Sequence, residues 1–98
     1  MEHLPIFLSV RDQICAVIGG GEIATRKVSL LLRAGARIRI IAPRLCPNLS
    51  ALHDQGRITH LAREYQDGEL DNAYLAIAAT DSADVNHAVA DAGRARNI

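Results

Sequence analysis

The chain has 98 residues, which points to one domain around a small hydrophobic core. Apolar residues make up 49%, too many for a disordered segment, and Lys+Arg and Asp+Glu both number 11, so no basic excess marks a nucleic-acid or anionic-membrane partner. The three aromatics, Phe7, Tyr65 and Tyr74, are scattered and form no stacking platform for single strands.

Taken in chain order, Leu4 to Val10 reads as a short strand that ends in the polar turn Arg11-Asp12-Gln13. Ile14 to Ile18 is a compact apolar run, the pattern of a strand buried on both faces of a parallel sheet, and three glycines follow it at once. A helix is predicted from about Glu22 to Ala34, because Ala24, Val28, Leu31 and Leu32 fall on one face and Gly35 supplies a stop. Arg37 to Ala42 is an isoleucine-rich strand ended by Pro43. Pro47 to Gln55 is a short helix closed by Gly56, and Arg57 to Ala62 is a third parallel strand.

Gln66 to Asn72 is a polar connection. Ala73 to Ala79 is a further strand, and Thr80-Asp81-Ser82 caps a last helix whose apolar stripe is Val85, Ala88, Val89 and Ala92. Strands alternating with helices imply right-handed crossovers. The predicted fold is therefore α/β, a Rossmann-like parallel sheet with helices on both faces. Because the chain ends at Asn97-Ile98, where another strand is due, the sheet is expected to be incomplete at its C-terminus and residues 1–98 to be one nucleotide-binding domain cut from a longer chain.

Cys15 and Cys46 lie far apart and read as free thiols in a reducing cytosol, with Cys15 buried in its strand. Neither has a metal-like spacing, and His3, His53, His60 and His87 do not cluster, so no metal site is expected. The N-terminal residues lack a charged region followed by a long apolar core, which argues against a signal peptide, and the longest apolar run, Tyr74 to Ala79, is far too short to span a bilayer. The expected setting is the cytoplasm, with no membrane and no nucleic acid as partner.

The chemistry-bearing motif is Gly19-x-Gly21-x-x-Ala24, within Gly19-Gly20-Gly21-Glu22-Ile23-Ala24. Gly19 permits a tight strand-to-helix turn, Gly21 lets a pyrophosphate approach the backbone, and Ala24 is small enough for helix and strand to pack closely. The N–H groups of the first helical turn then hold the anion. The motif follows an apolar strand and opens an amphipathic helix, the context that gives it meaning. Dinucleotide sites usually carry an acid at the end of the second strand to hold the ribose hydroxyls, but here the residues are Ile41-Ala42-Pro43-Arg44. By that rule alone Arg44 suggests a 2′-phosphate and NADP; as a solvated loop residue it suggests nothing. Arg26 and Lys27 read as a solvated helix face.

Met1-x-His3-Leu4-Pro5-Ile6-Phe7, the run Gly19 to Lys27, and Leu75-Ala76-Ile77-Ala78-Ala79-Thr80-Asp81 with Val85-Asn86 together resemble the siroheme synthases, in particular the N-terminal region of the bacterial fused type that also carries a uroporphyrinogen methyltransferase. The resemblance covers essentially the whole chain. It implies NAD as hydride acceptor in oxidation of precorrin-2 to sirohydrochlorin, then insertion of ferrous iron to give siroheme, in a homodimeric parent enzyme. It implies dinucleotide contacts at Glu22, Ile23, Pro43 and Arg44, with Thr80 and Asp81 bordering the cleft. Since that family also lacks the ribose acid, it favours NAD over NADP.

The family's aspartate implicated as general base is expected beyond Ile98, so no catalytic residue is assigned. The candidate cofactor-binding residues are Gly19, Gly20, Gly21, Glu22, Ile23, Ala24, Pro43, Arg44, Thr80 and Asp81. Asp81 has a second reading as a helix cap, and Asn86 is either a ligand contact or a polar surface residue. The competing reading is a regulatory nucleotide-sensing domain of a potassium transport system, which shares the fold and the glycine turn.

Overall fold

The computed structural model describes residues 8–66, 72–80 and 86–91. Its elements are β1 (Ile14–Ile18), α1 (Glu22–Arg33), β2 (Arg37–Ile41), α2 (Pro47–Asp54), β3 (Thr59–Leu61) and β4 (Leu75–Ala78). Residues 86–91 are also helical. The four strands form one sheet in the order β3-β2-β1-β4, and every pairing is parallel. This is the predicted α/β architecture, with the predicted runs Ile14–Ile18 and Tyr74–Ala79 as neighbours through Cys15↔Leu75 and Ile18↔Ala78.

Both faces of the sheet are covered, as the uninterrupted apolar runs require. Cys15 and Val17 of β1 and Ile38 and Ile40 of β2 point to one face, where they meet Ala24, Val28 and Leu31 of α1 and Leu49 of α2. Ala16 and Ile18, the alternate residues of β1, join Ile41, Ala73 and Val89 on the other. Val89 belongs to the helical residues 86–91, so the second layer is built by the last helix. Strand alternation thus divides the apolar residues between two packed layers.

The helix ends follow from local chemistry. Glu22 sits in the first turn of α1 and Arg33 in its last, each matched to the helix dipole. Past α1, the Gly35 N–H donates to Leu32 O and the Ala36 N–H to Leu31 O, both at 3.1 Å. Past α2, the Gly56 N–H donates to His53 O at 2.9 Å and the Arg57 N–H to Leu52 O at 3.0 Å. Both are Schellman closures with glycine one residue beyond the cap, where the sequence predicts a stop.

Three expectations are corrected. Within the predicted strand Leu4 to Val10, residues 8–10 are irregular, and the rest lies outside the described residues. Val10 O accepts the Gln13 N–H at 2.9 Å, and the Asp12 N–H donates to Gly35 O at 2.9 Å, so this segment closes a turn against the end of α1. Val10 itself is buried, filling the core without pairing. The third strand is shorter than Arg57 to Ala62, because the Arg57 N–H is used to close α2. Ala88 is exposed, so the stripe predicted for the last helix narrows to Val89 among the described residues; Val85 and Ala92 lie outside them, as does most of the Gln66 to Asn72 connection. Among the described residues no helix is long and apolar enough to cross a membrane.

Candidate functional site

The C-terminal ends of the strands open onto a cleft of about 910 Å³. The connection after β1 leads to β2 on one side, while β4 lies on the other, so the crevice falls where the strand order reverses, the usual ligand position in open α/β sheets. Its floor is Ile18 and Ile41, and its walls are the glycine turn with Glu22 and Ile23, the segment Ala42-Pro43-Arg44, Glu64 and Tyr65 after β3, and Ala79 with Thr80 after β4.

The three glycines have three different reasons to be glycine. Gly19 has φ 135°, a conformation side chains rarely adopt, and a Cβ there would overlap the Ala79 carbonyl oxygen. Its N–H donates to Ile41 O at 3.0 Å, so the turn is locked between β2 and the end of β4. A Cβ on Gly20 would overlap the Arg44 carbonyl oxygen; here the turn packs against the loop after β2, and Gly20 O accepts the Cys46 N–H at 2.7 Å. Gly21 differs from both. It has ordinary extended dihedrals (φ −100°, ψ −160°), and a Cβ would meet nothing within 4 Å. No contact within the described residues demands glycine there; its bare Cα faces the space where the motif requires a ligand to approach.

Gly21 is also the N-cap of α1, and no side chain caps that helix. The first-turn N–H groups are therefore left to an incoming anion, assisted by the helix dipole. Thr25 fixes the turn from behind, donating both its backbone N–H and its Oγ1–H to Gly21 O at 3.0 Å.

The structure brings Gly19, Gly20, Gly21, Glu22, Ile23, Pro43, Arg44 and Thr80 to this cleft. Ala24 lies beneath it, fully buried in the core under α1, where its small size permits the close packing of helix on strand. Asp81 lies outside the described residues. Arg26 and Lys27 are exposed and do not line the cleft. Glu64 and Tyr65 do line it, although no motif marks them in the sequence; their signal is position, just past a parallel strand's C-terminal end.

Asn86 is half-buried and bonded to the rim of the cleft. Its Nδ2–H donates to Thr80 O at 3.2 Å, and its Oδ1 accepts the Thr80 Oγ1–H at 2.7 Å. It thus pins the rim residue after β4 to the last helix. On the β2 side, His60 Nε2 is 2.8 Å from Ala42 O and donates to it, holding the carbonyl just before Pro43.

The two thiols have opposite environments. Burial pushes the Cys15 thiol up. Burial also acts to raise Cys46, but the hydrogen bond with Thr25, whose hydroxyl turns from Gly21 O to the sulfur once the thiol ionises, and those from the Leu49 and Asn48 backbone outweigh it, so its pKa is lowered from 9.0 even with Glu22 opposing. The Thr25 Oγ1 to Cys46 Sγ distance is 3.1 Å. Among the described residues no group of three or more His, Cys, Asp or Glu comes together to hold a metal.

The comparisons with known proteins agree with this architecture. The chain is 54% identical over all 98 residues to the siroheme synthase of Methylobacillus flagellatus and 50% identical over the same length to that of Chromobacterium violaceum. It spans 21% of the length of each of these relatives. Its fold matches the solved structure of the precorrin-2 dehydrogenase SirC with a TM-score of 0.84 at 26% identity, covering 90% of this chain and 44% of that one. Residues 6–98 match the family model described as "Putative NAD(P)-binding", and by that match over nearly the whole chain the protein belongs to this NAD(P)-binding family.

Proposed function

We propose that residues 1–98 are the NAD-binding segment of an enzyme that oxidises precorrin-2 to sirohydrochlorin and then inserts ferrous iron to give siroheme. The observation that carries the reading is Gly21: a glycine that no intramolecular contact among the described residues requires, at the uncapped start of α1, facing a cleft at the sheet's switch point. The similarity of all 98 residues to part of the siroheme synthases and the fold of SirC support the choice of substrate.

In this reading the first-turn N–H groups of α1 hold the pyrophosphate, and Gly19 and Gly20 keep the turn tight against its neighbours. Pro43 and Arg44 border the adenosine end, while Thr80 and Asp81 border the nicotinamide end. Glu22 contributes its backbone, with its carboxylate turned from the phosphates. Ala24 allows the helix to approach the sheet. When bound, NAD accepts a hydride from the tetrapyrrole as a proton is lost. Ferrous iron is the substrate of the later step, and a homodimer working in the cytoplasm is the expected assembly, in keeping with the relatives' resemblance.

The test has two parts. Calorimetric titration of the chain with NAD should show saturable binding, and the polypeptide carrying this segment, given precorrin-2 and NAD, should form sirohydrochlorin as followed by absorbance. Absence of NAD binding would remove the nucleotide assignment; binding without sirohydrochlorin formation would remove the substrate.

A further inference from the structure

We infer that Glu64 is the residue that reads the adenosine ribose and sets the preference for NAD over NADP, an inference that rests on the dinucleotide reading above. The usual ribose acid stands at the end of the second strand, about 20 residues past the glycines. Here β2 ends at Ile41 and runs into Ala42-Pro43-Arg44, and no Asp or Glu occurs between Glu22 and Asp54. The second strand therefore supplies no carboxylate to the cleft.

The third strand does. β3 pairs in parallel beside β2, with Leu61 opposite Ile41, so the two strands end side by side. The ladder is extended by the Ala42 N–H donating to Leu61 O at 3.2 Å. Directly after it the Arg63 N–H turns back to the same Leu61 O at 2.9 Å, bending the chain at the strand end. Tyr65 then packs against the core layer that holds Ile18 and Ile41. Glu64 is held between these two anchors, exposed, on the wall that it shares with Pro43 and Arg44. By the usual polarity of the fold, with the pyrophosphate at the β1 turn, the β2 side of the cleft is the adenosine side.

Charge points the same way. Among the described residues lining the cleft, the ionisable acids and bases are Glu22, Arg44 and Glu64 apart from the Tyr65 phenol, two carboxylates against one cation. A ribose 2′-hydroxyl can donate to the Glu64 carboxylate, whereas a 2′-phosphate would be repelled by it. Arg44 alone would invite that phosphate. Glu64, lining the same cleft, opposes it and accepts the hydroxyl instead.

The test is calorimetric titration with NAD and with NADP of the wild type, Glu64→Gln and Glu64→Arg, each checked for retained fold by far-UV circular dichroism. The wild type should prefer NAD. Glu64→Gln should weaken NAD about tenfold, the loss of one charge-assisted hydrogen bond, while NADP weakens far less. Glu64→Arg should invert the preference. A wild type that binds NAD, with a Glu64→Gln variant whose NAD-to-NADP ratio stays within twofold, overturns the inference and leaves the dinucleotide reading standing, as does a wild type that prefers NADP. A wild type that binds neither nucleotide overturns both.

Discussion

Substituting Gly21 by valine separates folding from binding more cleanly than any other change in this chain. The backbone there is extended, and a Cβ has no neighbour within 4 Å, so no atom must move to admit the Cβ. Valine is a poorer N-cap than glycine, at about 1 kcal/mol, but it also restricts the unfolded chain, which returns roughly 0.4–1 kcal/mol. The net change in stability should be under about 1 kcal/mol, or less than roughly 8 °C in Tm for a domain of this size. The effect on the ligand is different in kind. The isopropyl group would fill the approach to the first-turn N–H groups of α1, where each lost hydrogen bond to a charged phosphate is worth about 1.5–3 kcal/mol. Two such bonds make the loss at least about a hundredfold in affinity. Thermal unfolding with NAD at about a hundred times the wild-type dissociation constant gives the contrast directly: roughly 2.7 kcal/mol of stabilisation for wild type and at most about 0.4 kcal/mol for the variant. If Gly21→Val binds NAD within threefold of wild type, the pyrophosphate does not approach this backbone. If the variant fails to fold, the open space beside Gly21 has been misread.

The neighbouring glycines should behave oppositely. Gly20→Ala should destabilise the free protein by about 1–3 kcal/mol through overpacking against Arg44, and Gly19→Ala by a similar amount plus the strain of its positive φ, both visible as a lower urea midpoint without ligand. Asn86→Ala should cost about 1–2 kcal/mol by removing both bonds to Thr80, measurable by the same titration, and should raise the Kd for NAD as the rim loosens. The lowered Cys46 pKa gives a pH signature. Its folded-state value lies below the unfolded one, so the stability it contributes is present above the unfolded pKa, near 9, and is lost as pH falls through the folded value. The stability difference between wild type and Thr25→Val should therefore grow between neutral pH and pH 9; a difference independent of pH would refute the Thr25 contribution. In the native protein Cys46 should alkylate readily, while Cys15, fully buried, should react only on unfolding.

The sheet was legible in the sequence because β1, buried on both faces, and the half-buried β4 are continuous apolar runs, Ile14–Ile18 and Leu75–Ala78, that no polar alternation blurs. The helix stops at Gly35 and Gly56 were legible because the Schellman closure is local, decided by residues within one turn. The N-terminal segment was misread for the converse reason. The apolar Leu8 and Val10 fit a strand by pattern, yet the bonds of Asp12 to Gly35 and of Gln13 to Val10 turn the chain, and those depend on where α1 ends in space.

The same distinction runs through the cleft. The motif assigns one role to each of Gly19, Gly21 and Ala24, and leaves Gly20 as a free position. In the structure Gly20 is as constrained as Gly19, because the loop carrying Arg44 crosses directly over it, and a loop 24 residues away leaves no trace in a local pattern. Gly21, to which the motif gives the approach of a pyrophosphate, is the single glycine of the turn whose identity the described contacts do not explain. That separation has a physical consequence. A glycine turn held only by its own packing needs Gly19 and Gly20, and alanine at the third position would cost it little. Retaining glycine at all three leaves the uncapped N–H groups of α1 open to an anion, and an anion bound there is stabilised by the helix dipole without any basic side chain in the turn. If the pyrophosphate is held in this way, Arg44 is not needed for it, and in the inference drawn above the choice of dinucleotide turns on Glu64, which lines the same cleft, and not on the charge of Arg44 alone.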